Sequence, residues 1–228
     1  MLRLDTAMPQ SVGGATRSVV KKKTAGATAR RSHAERTDLS DHRMFDAAKA
    51  LILEVGTQQT TLKEVGERAG YSRGLANARF GSKDGLFIKL ADRYRTLWLE
   101  QLEQAAEGKS GLDLLVSRLD AIAAFADRRP DEARVMYILW FESVGAPSQM
   151  NANLARFHAQ ARADIKQLAM QSQLFKGRNA EARAERYAAQ FCGTIFGICY
   201  QWIVDSDAID VRKTVSDMKK DLTERASR

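Results

Sequence analysis

Proline is nearly missing from this 228-residue chain. Its three prolines stand at positions 9, 130 and 147, so none interrupts residues 10–129. A proline inside a helix removes a backbone hydrogen bond and clashes with the preceding turn, at a cost of about 3 kcal/mol. Its absence over so long a stretch, together with few runs of β-branched residues, favours an all-α protein. Hydrophobic residues make up 44% of the chain and charged residues 28%, enough of each for a buried core and a solvated surface.

Two cysteines cannot build a disulfide framework. Cys192 and Cys199 lie seven residues apart on one expected helix, about 10 Å along its axis, too far to bridge. This usage fits a reducing cytosol, and the N-terminus lacks the apolar core of a secretory signal. The longest uncharged run, residues 187–204, falls short of the roughly 20 residues a membrane span needs. It reads instead as a buried helix, with Gly193 and Gly197 suited to a close helix contact at a subunit interface.

The formal charge is +8, and it is unevenly spread. Residues 1–36 hold eight basic residues against two acidic ones, a net +6. With few apolar anchors, this stretch reads as a disordered or loosely ordered basic tail. Such a tail attracts polyanions without recognising a sequence. It admits a rival reading of the chain, as a nonspecific DNA-binding or architectural protein.

From Asp38 onward apolar residues recur at helical spacing. Met44, Ala48, Leu51, Ile52 and Val55 predict a first helix over about 41–55, stopped by Gly56. Thr61 with Glu64 forms a capping-box pattern ahead of Leu62, Val65 and Ala69, and Gly70 ends that short helix. Ser72 can cap a further helix that runs to Phe80 and Gly81. Two short helices across a tight glycine-containing turn predict a helix-turn-helix. Ser82-Lys83-Asp84 then opens a long helix fading near Gly108. Further helices are expected over about 112–128, 131–143 and 147–175, with 135–141 apolar almost all round and therefore deeply buried. The last two are expected over 181–205 and 209–226, for about nine in all.

The stretch from Arg43 to Leu90 resembles the N-terminal domain of the TetR (tetracycline-repressor-like) family of transcription regulators. The matching pieces are the first helix ending at Gly56, Thr60-Thr61-Leu62 to Ala69-Gly70, and Tyr71-Ser72-Arg73-Gly74. The closing Phe80-Gly81-Ser82-Lys83-Asp84-Gly85-Leu86-Phe87 is the most specific of them. Beyond the basic tail at 1–36, the resemblance implies a DNA-binding domain at 37–84 and a helical effector-binding and dimerisation domain at 85–228. It implies a homodimer whose paired recognition helices enter successive major grooves of a palindromic double-stranded operator.

On this reading helix 73–80 reads DNA. Ser72 and Arg73 sit at its N-terminal turn, where backbone N–H groups and a cation favour phosphate. Gly74 permits close backbone approach, Asn77 and Arg79 can reach base edges or phosphates, and Thr61 and Lys83 would clamp the backbone on either side. Thr61 and Ser72 would serve equally as caps without DNA, and Tyr71 could touch DNA or pack across the turn. Leu75, Phe80 and Leu86 read as core. The family often carries Tyr and His where this chain has Asn77 and Arg79.

The resemblance also implies dimerisation through about 181–205 and 209–226, and an effector pocket among the helices between residues 85 and 175. Trp98, Tyr137, Trp140, Phe141, Phe157 and His158 are its candidate lining, suited to an apolar or amphipathic small molecule. The same aromatics at helical spacing would also serve a plain core. One motif is a decoy: Gly70 to Gly74 satisfies the G-x-S-x-G pattern of hydrolase elbows. That chemistry needs a strand feeding the turn and a Ser–acid–His set, and no α/β alternation accompanies it here. No dinucleotide fingerprint, phosphate loop or zinc-ligand pair occurs, so no catalytic residue, cofactor or metal is expected.

Overall fold

A computed structural model describes residues 33–145, 147–172 and 174–226. Most of the basic segment singled out above therefore lies outside the described residues. Among those described there are nine α-helices and no strand. They are α1 (His33–Gln59), α2 (Leu62–Arg68), α3 (Arg73–Phe80), α4 (Lys83–Ala106), α5 (Gly111–Arg128), α6 (Pro130–Val144), α7 (Gln149–Gln171), α8 (Ala180–Val204) and α9 (Val211–Ala226). None of these helices is long and apolar enough to cross a membrane.

The first helix begins at His33, eight residues ahead of the expected start, and residues 33–36 are therefore helical. A long-range anchor accounts for the difference. Arg79 of α3 donates to the Thr37 hydroxyl at 2.9 Å and pairs with Asp41 at 3.3 Å, so the added turns are held from outside the helix. The expected break at Gly56 is present, with φ 78° and ψ 169° in the region that favours glycine. Buried Thr57 and Thr60 fill the joint that follows, and the Thr60 hydroxyl donates to the Gly56 carbonyl at 2.8 Å.

Two apolar clusters organise the molecule. One joins α1, α2, α3 and α4 to α6 around Met44, Ile52, Val65, Leu86, Leu90 and Val135. The other joins α5, α7, α8 and α9 around Leu115, Leu119, Ile165, Phe191 and Val215. Trp98 and Trp202 touch both. Helix α6 thus packs on α1 as well as on α4, α5 and α7 of the body. Burial along it is less complete than the sequence suggests. Val135 to Tyr137 and Leu139 are enclosed, whereas Phe141 and Val144 of its last turn are 57% and 65% exposed.

Candidate nucleic-acid interface and ligand cavity

The helix-turn-helix is fixed by short-range chemistry. Thr61 caps α2: its hydroxyl accepts from the Glu64 N–H at 3.2 Å, and the Glu64 carboxylate accepts from the Thr61 N–H at 3.1 Å. Gly70 follows with φ +79°, and the Tyr71 N–H closes the turn on the Gly66 carbonyl at 2.8 Å. Ser72 caps α3 by accepting from the Leu75 N–H at 3.2 Å, and Ser82 caps α4 by accepting from Gly85 at 3.0 Å.

Two glycines, Gly66 and the Gly85 of the closing motif, set how closely these helices meet. A Cβ on Gly66 would lie 3.0 Å from the Ser72 carbonyl oxygen, and one on Gly85 would lie 2.2 Å from that of Phe80. The neighbour in each case is backbone, which cannot swing aside. The signal was present in the sequence as glycines inside helices, a position that otherwise costs stability.

Helix α3 alternates in pairs. Leu75 with Ala76 and Arg79 with Phe80 face inward, while Arg73 with Gly74 and Asn77 with Ala78 are exposed. The outward face therefore offers a cation, a bare backbone, an amide and a methyl group. Ala78, which sequence reasoning passed over, belongs to that face. Gly74 is not demanded by packing, since a Cβ there would meet nothing nearer than the Ser72 hydroxyl at 3.7 Å. Its small size leaves room on the outside.

The remaining candidates are engaged within the protein. Tyr71 is half-buried and packs against the first cluster. Thr61 already spends its hydroxyl proton on Glu64 at 2.9 Å. Lys83 donates to the Gln58 carbonyl at 3.0 Å, one of the three donors an ammonium carries. Arg79 is turned toward α1: its guanidinium lies against Thr37 and Asp41, and Lys89 donates to its carbonyl at 2.6 Å. It ties the exposed helix to α1. Ser72 stands between two helices, without the strand a hydrolase elbow requires.

Beneath this domain the body forms a partly open cavity of about 800 Å³ walled by α4, α5, α6, α7 and α8. Of the candidate aromatics, Trp98, Tyr137, Trp140 and Phe157 line it; α8 adds Phe191 and Phe196, beyond the helices anticipated from the sequence. Phe141 and His158 do not line it. Phe141 is exposed and packs on Tyr200 with ring centres 5.2 Å apart, and His158 packs on Phe196 at 4.5 Å. The reason is helical rotation: successive residues turn by about 100°, so the neighbour of an inward aromatic faces elsewhere. Burial, then the nearby Arg162 charge, hold the His158 imidazole below its usual pKa. The Tyr137 phenol donates to the Phe196 carbonyl at 3.3 Å, and burial pushes its pKa well up.

Helix α6 connects the cavity to α1. Ala133, Met136, Tyr137 and Trp140 wall the cavity, while Glu132 pairs with Lys49 at 2.8 Å and Glu142 accepts from the Thr57 hydroxyl. Both contacts bridge to α1, near opposite ends of α6.

On α8, Gly193 and Gly197 have open space where a side chain would be. Tyr200 and Val204 continue the exposed surface at 46% and 68% exposure, beside Phe141 and Val144 of α6. Helix α9 turns Val211, Val215 and Leu222 into the second cluster, and Lys219 and Arg212 pair with Asp120 and Asp127 of α5 at 2.5 and 2.8 Å. The outward surface of α9 carries charged residues such as Lys213, Lys220 and Glu224.

Residues 45–90 match the family model described as bacterial regulatory proteins, tetR family. The chain is 30% identical over 88 residues to an uncharacterized HTH-type transcriptional regulator, YfiR, of Bacillus subtilis (strain 168). That match covers 39% of this chain and 43% of the relative, so it spans less than half the relative's length. Among solved structures, a TetR-like transcriptional regulator from Rhodococcus sp. RHA1 is similar over 86% of this chain and 97% of its own, with TM-score 0.67 and 19% identity. NalD, the secondary repressor of the MexAB-OprM multidrug efflux pump in Pseudomonas aeruginosa, is similar over 84% of this chain and 97% of its own, with TM-score 0.61 and 17% identity.

Proposed function

We propose that this chain, whose N-terminal domain belongs to the tetR family of bacterial regulatory proteins, is a sequence-specific transcriptional repressor. It acts as a homodimer on a palindromic operator and is released by a small-molecule effector. The observation that carries this reading is the outward face of α3, where Arg73, Gly74, Asn77 and Ala78 are exposed while every larger apolar residue faces inward. Asparagine suits the paired donor and acceptor of adenine, alanine suits a thymine methyl, and arginine suits phosphate or guanine. Lys83 keeps two donors for the backbone beside the helix, and the Ser72 hydroxyl proton is unspent. Thr61 and Arg79 serve by holding α2 and α3 in place.

Two copies would meet along the exposed α8 surface around Gly193 and Gly197. Two-fold symmetry then sets two α3 helices into successive grooves, about 34–36 Å apart per turn, on a palindrome. An effector in the cavity would act on α3 through two routes. Helix α4 begins at Lys83 beside α3 and walls the cavity with Trp98; α6 walls it too and grips α1 through Glu132 and Glu142. A coupling of about 1–3 kcal/mol along these routes changes operator affinity by roughly 5- to 150-fold.

Selection from random duplex DNA at about 150 mM salt, where nonspecific phosphate attraction is weakened, tests the reading. An enriched palindrome is expected. Binding with no enriched sequence, collapsing as salt rises, would move the activity to the basic residues 1–36 and defeat the proposal.

A further inference from the structure

The cavity's charges are the feature that selects its occupant. Six charged residues line it, Asp92, Arg95, Glu103, Arg118, Arg156 and Asp164, three of each sign. Arg118 is the enclosed one, with 14% of its side chain exposed, and it spends two N–H groups on the Asp164 carboxylate at 3.0 and 3.3 Å. Asp92 and Arg95 pair at 3.6 Å and are half-exposed, while Glu103 and Arg156 are exposed. The enclosed part of the cavity therefore holds no charge left without a counter-charge.

Its walls are aromatic. All three tryptophans of the chain, Trp98, Trp140 and Trp202, line it. Trp98 stands edge-on to Phe125, with ring centres 5.5 Å apart, and Trp140 lies tilted against Phe157 at 5.3 Å. Tilted and edge-on rings leave both faces and edges for a further ring to pack upon. Apart from the Arg118–Asp164 pair, the Tyr137 hydroxyl and the Cys192 and Cys199 thiols on its wall are neutral, with burial pushing the Cys199 pKa up to about 11.

An ion entering such a site surrenders hydration and meets, in its enclosed part, only charges already paired with one another, whereas a neutral ring gains contact with the aromatic walls. We infer that the cavity binds an uncharged aromatic molecule carrying no more than hydroxyl or carbonyl groups, and that it discriminates against the same ring system bearing a carboxylate or an ammonium. This rests on the cavity's being the effector site, and adds the chemical class of the effector.

Calorimetric titration of the full chain at pH 7 with 4-biphenylmethanol, biphenyl-4-carboxylate and 4-(aminomethyl)biphenyl tests it. The alcohol is expected to bind at least tenfold more tightly than either ion. It should also slow alkylation of Cys192 and Cys199 by a maleimide, and lose affinity at least tenfold in Ala161→Phe, which fills the cavity from α7. An ion binding as well as the alcohol overturns the inference, as does no binding by any of the three. Binding that neither shields the thiols nor responds to Ala161→Phe places the molecule elsewhere and also overturns it. The thiol readout uses the unaltered protein, so the test stands if Ala161→Phe does not fold. No DNA enters these measurements, so their failure is separate from failure to select an operator.

Discussion

The helix-turn-helix and the cavity are built from the same kind of element and treat space in opposite ways. Between α2, α3 and α4 the backbones approach until a single methyl group has no room, at Gly66 and Gly85. Between α4, α7 and α8 about 800 Å³ is left open. The first arrangement holds one rigid surface toward a partner of fixed shape. On the proposed function, the second leaves an opening whose occupant would supply the missing contacts. A molecule that must both read a regular duplex and respond to a small ligand needs tight packing in one place and loose packing in the other.

That contrast can be broken most forcefully at Gly85. Replacement by alanine places a Cβ 2.2 Å from the Phe80 carbonyl oxygen. It should cost about 3 kcal/mol, or roughly 6–12 °C in Tm for a chain of this size, measured by thermal unfolding. A Tm unchanged within a degree would show that the α3–α4 junction is not tight.

A smaller loss is expected from Arg79→Met, which removes the tie to Thr37 and Asp41. The pair is partly exposed, so the cost is about 1–2 kcal/mol after discounting for solvent screening. Operator affinity should fall uniformly across binding sequences, since α3 loses its seat and keeps its outward residues. A change in the preferred bases would instead make Arg79 a reader.

The link between α6 and α1 is pH-dependent on the acid side. Burial alone would raise the Glu132 carboxyl, but the Lys49 hydrogen bond, backbone hydrogen bonding and nearby positive charges hold it below its usual value. A depressed carboxyl contributes stability that is complete above the unfolded value, near 4.3, and is lost as pH falls through the lower folded value. Glu132→Gln should therefore cost about 1 kcal/mol near neutrality, and the difference from wild type should close as pH falls below about 4. Denaturant titrations at several pH values check this; a constant difference down to pH 3 would contradict it.

The mildest change sharpens the comparison from the open side. Gly193→Ala meets no atom within 4 Å in one protomer. It should raise helix stability by roughly 0.5–1 kcal/mol and weaken self-association at the close contact proposed there. Sedimentation equilibrium separates the two effects, and unaltered association would move the interface away from Gly193.

Legibility followed the range of the causes. The caps Thr61, Ser72 and Ser82 and the stops Gly56, Gly70 and Gly81 act within four residues, and each was readable from its neighbours. The first eight residues of α1 were not, because Arg79, some forty residues away, holds them. Gly66 looked ordinary, and Gly85 was legible only as part of a motif, until a crossing backbone gave each a physical reason. Aromatics on the body helices could be placed on helices but not around a cavity: Trp140 faces in and Phe141 out, Phe157 in and His158 aside, by one residue of rotation each. The contribution of α8 to the cavity depends on tertiary packing that no local pattern records.

On the proposed function, the outward face of α3 reads bases while its inward face only holds position. Parallel selections from random duplex DNA with wild type and Asn77→Ala test this directly. Symmetric loss of base preference at one position in each half-site, with Tm unchanged, is the result the account predicts. An identical selected sequence bound with uniformly lower affinity would contradict it, and would make Asn77 a backbone contact.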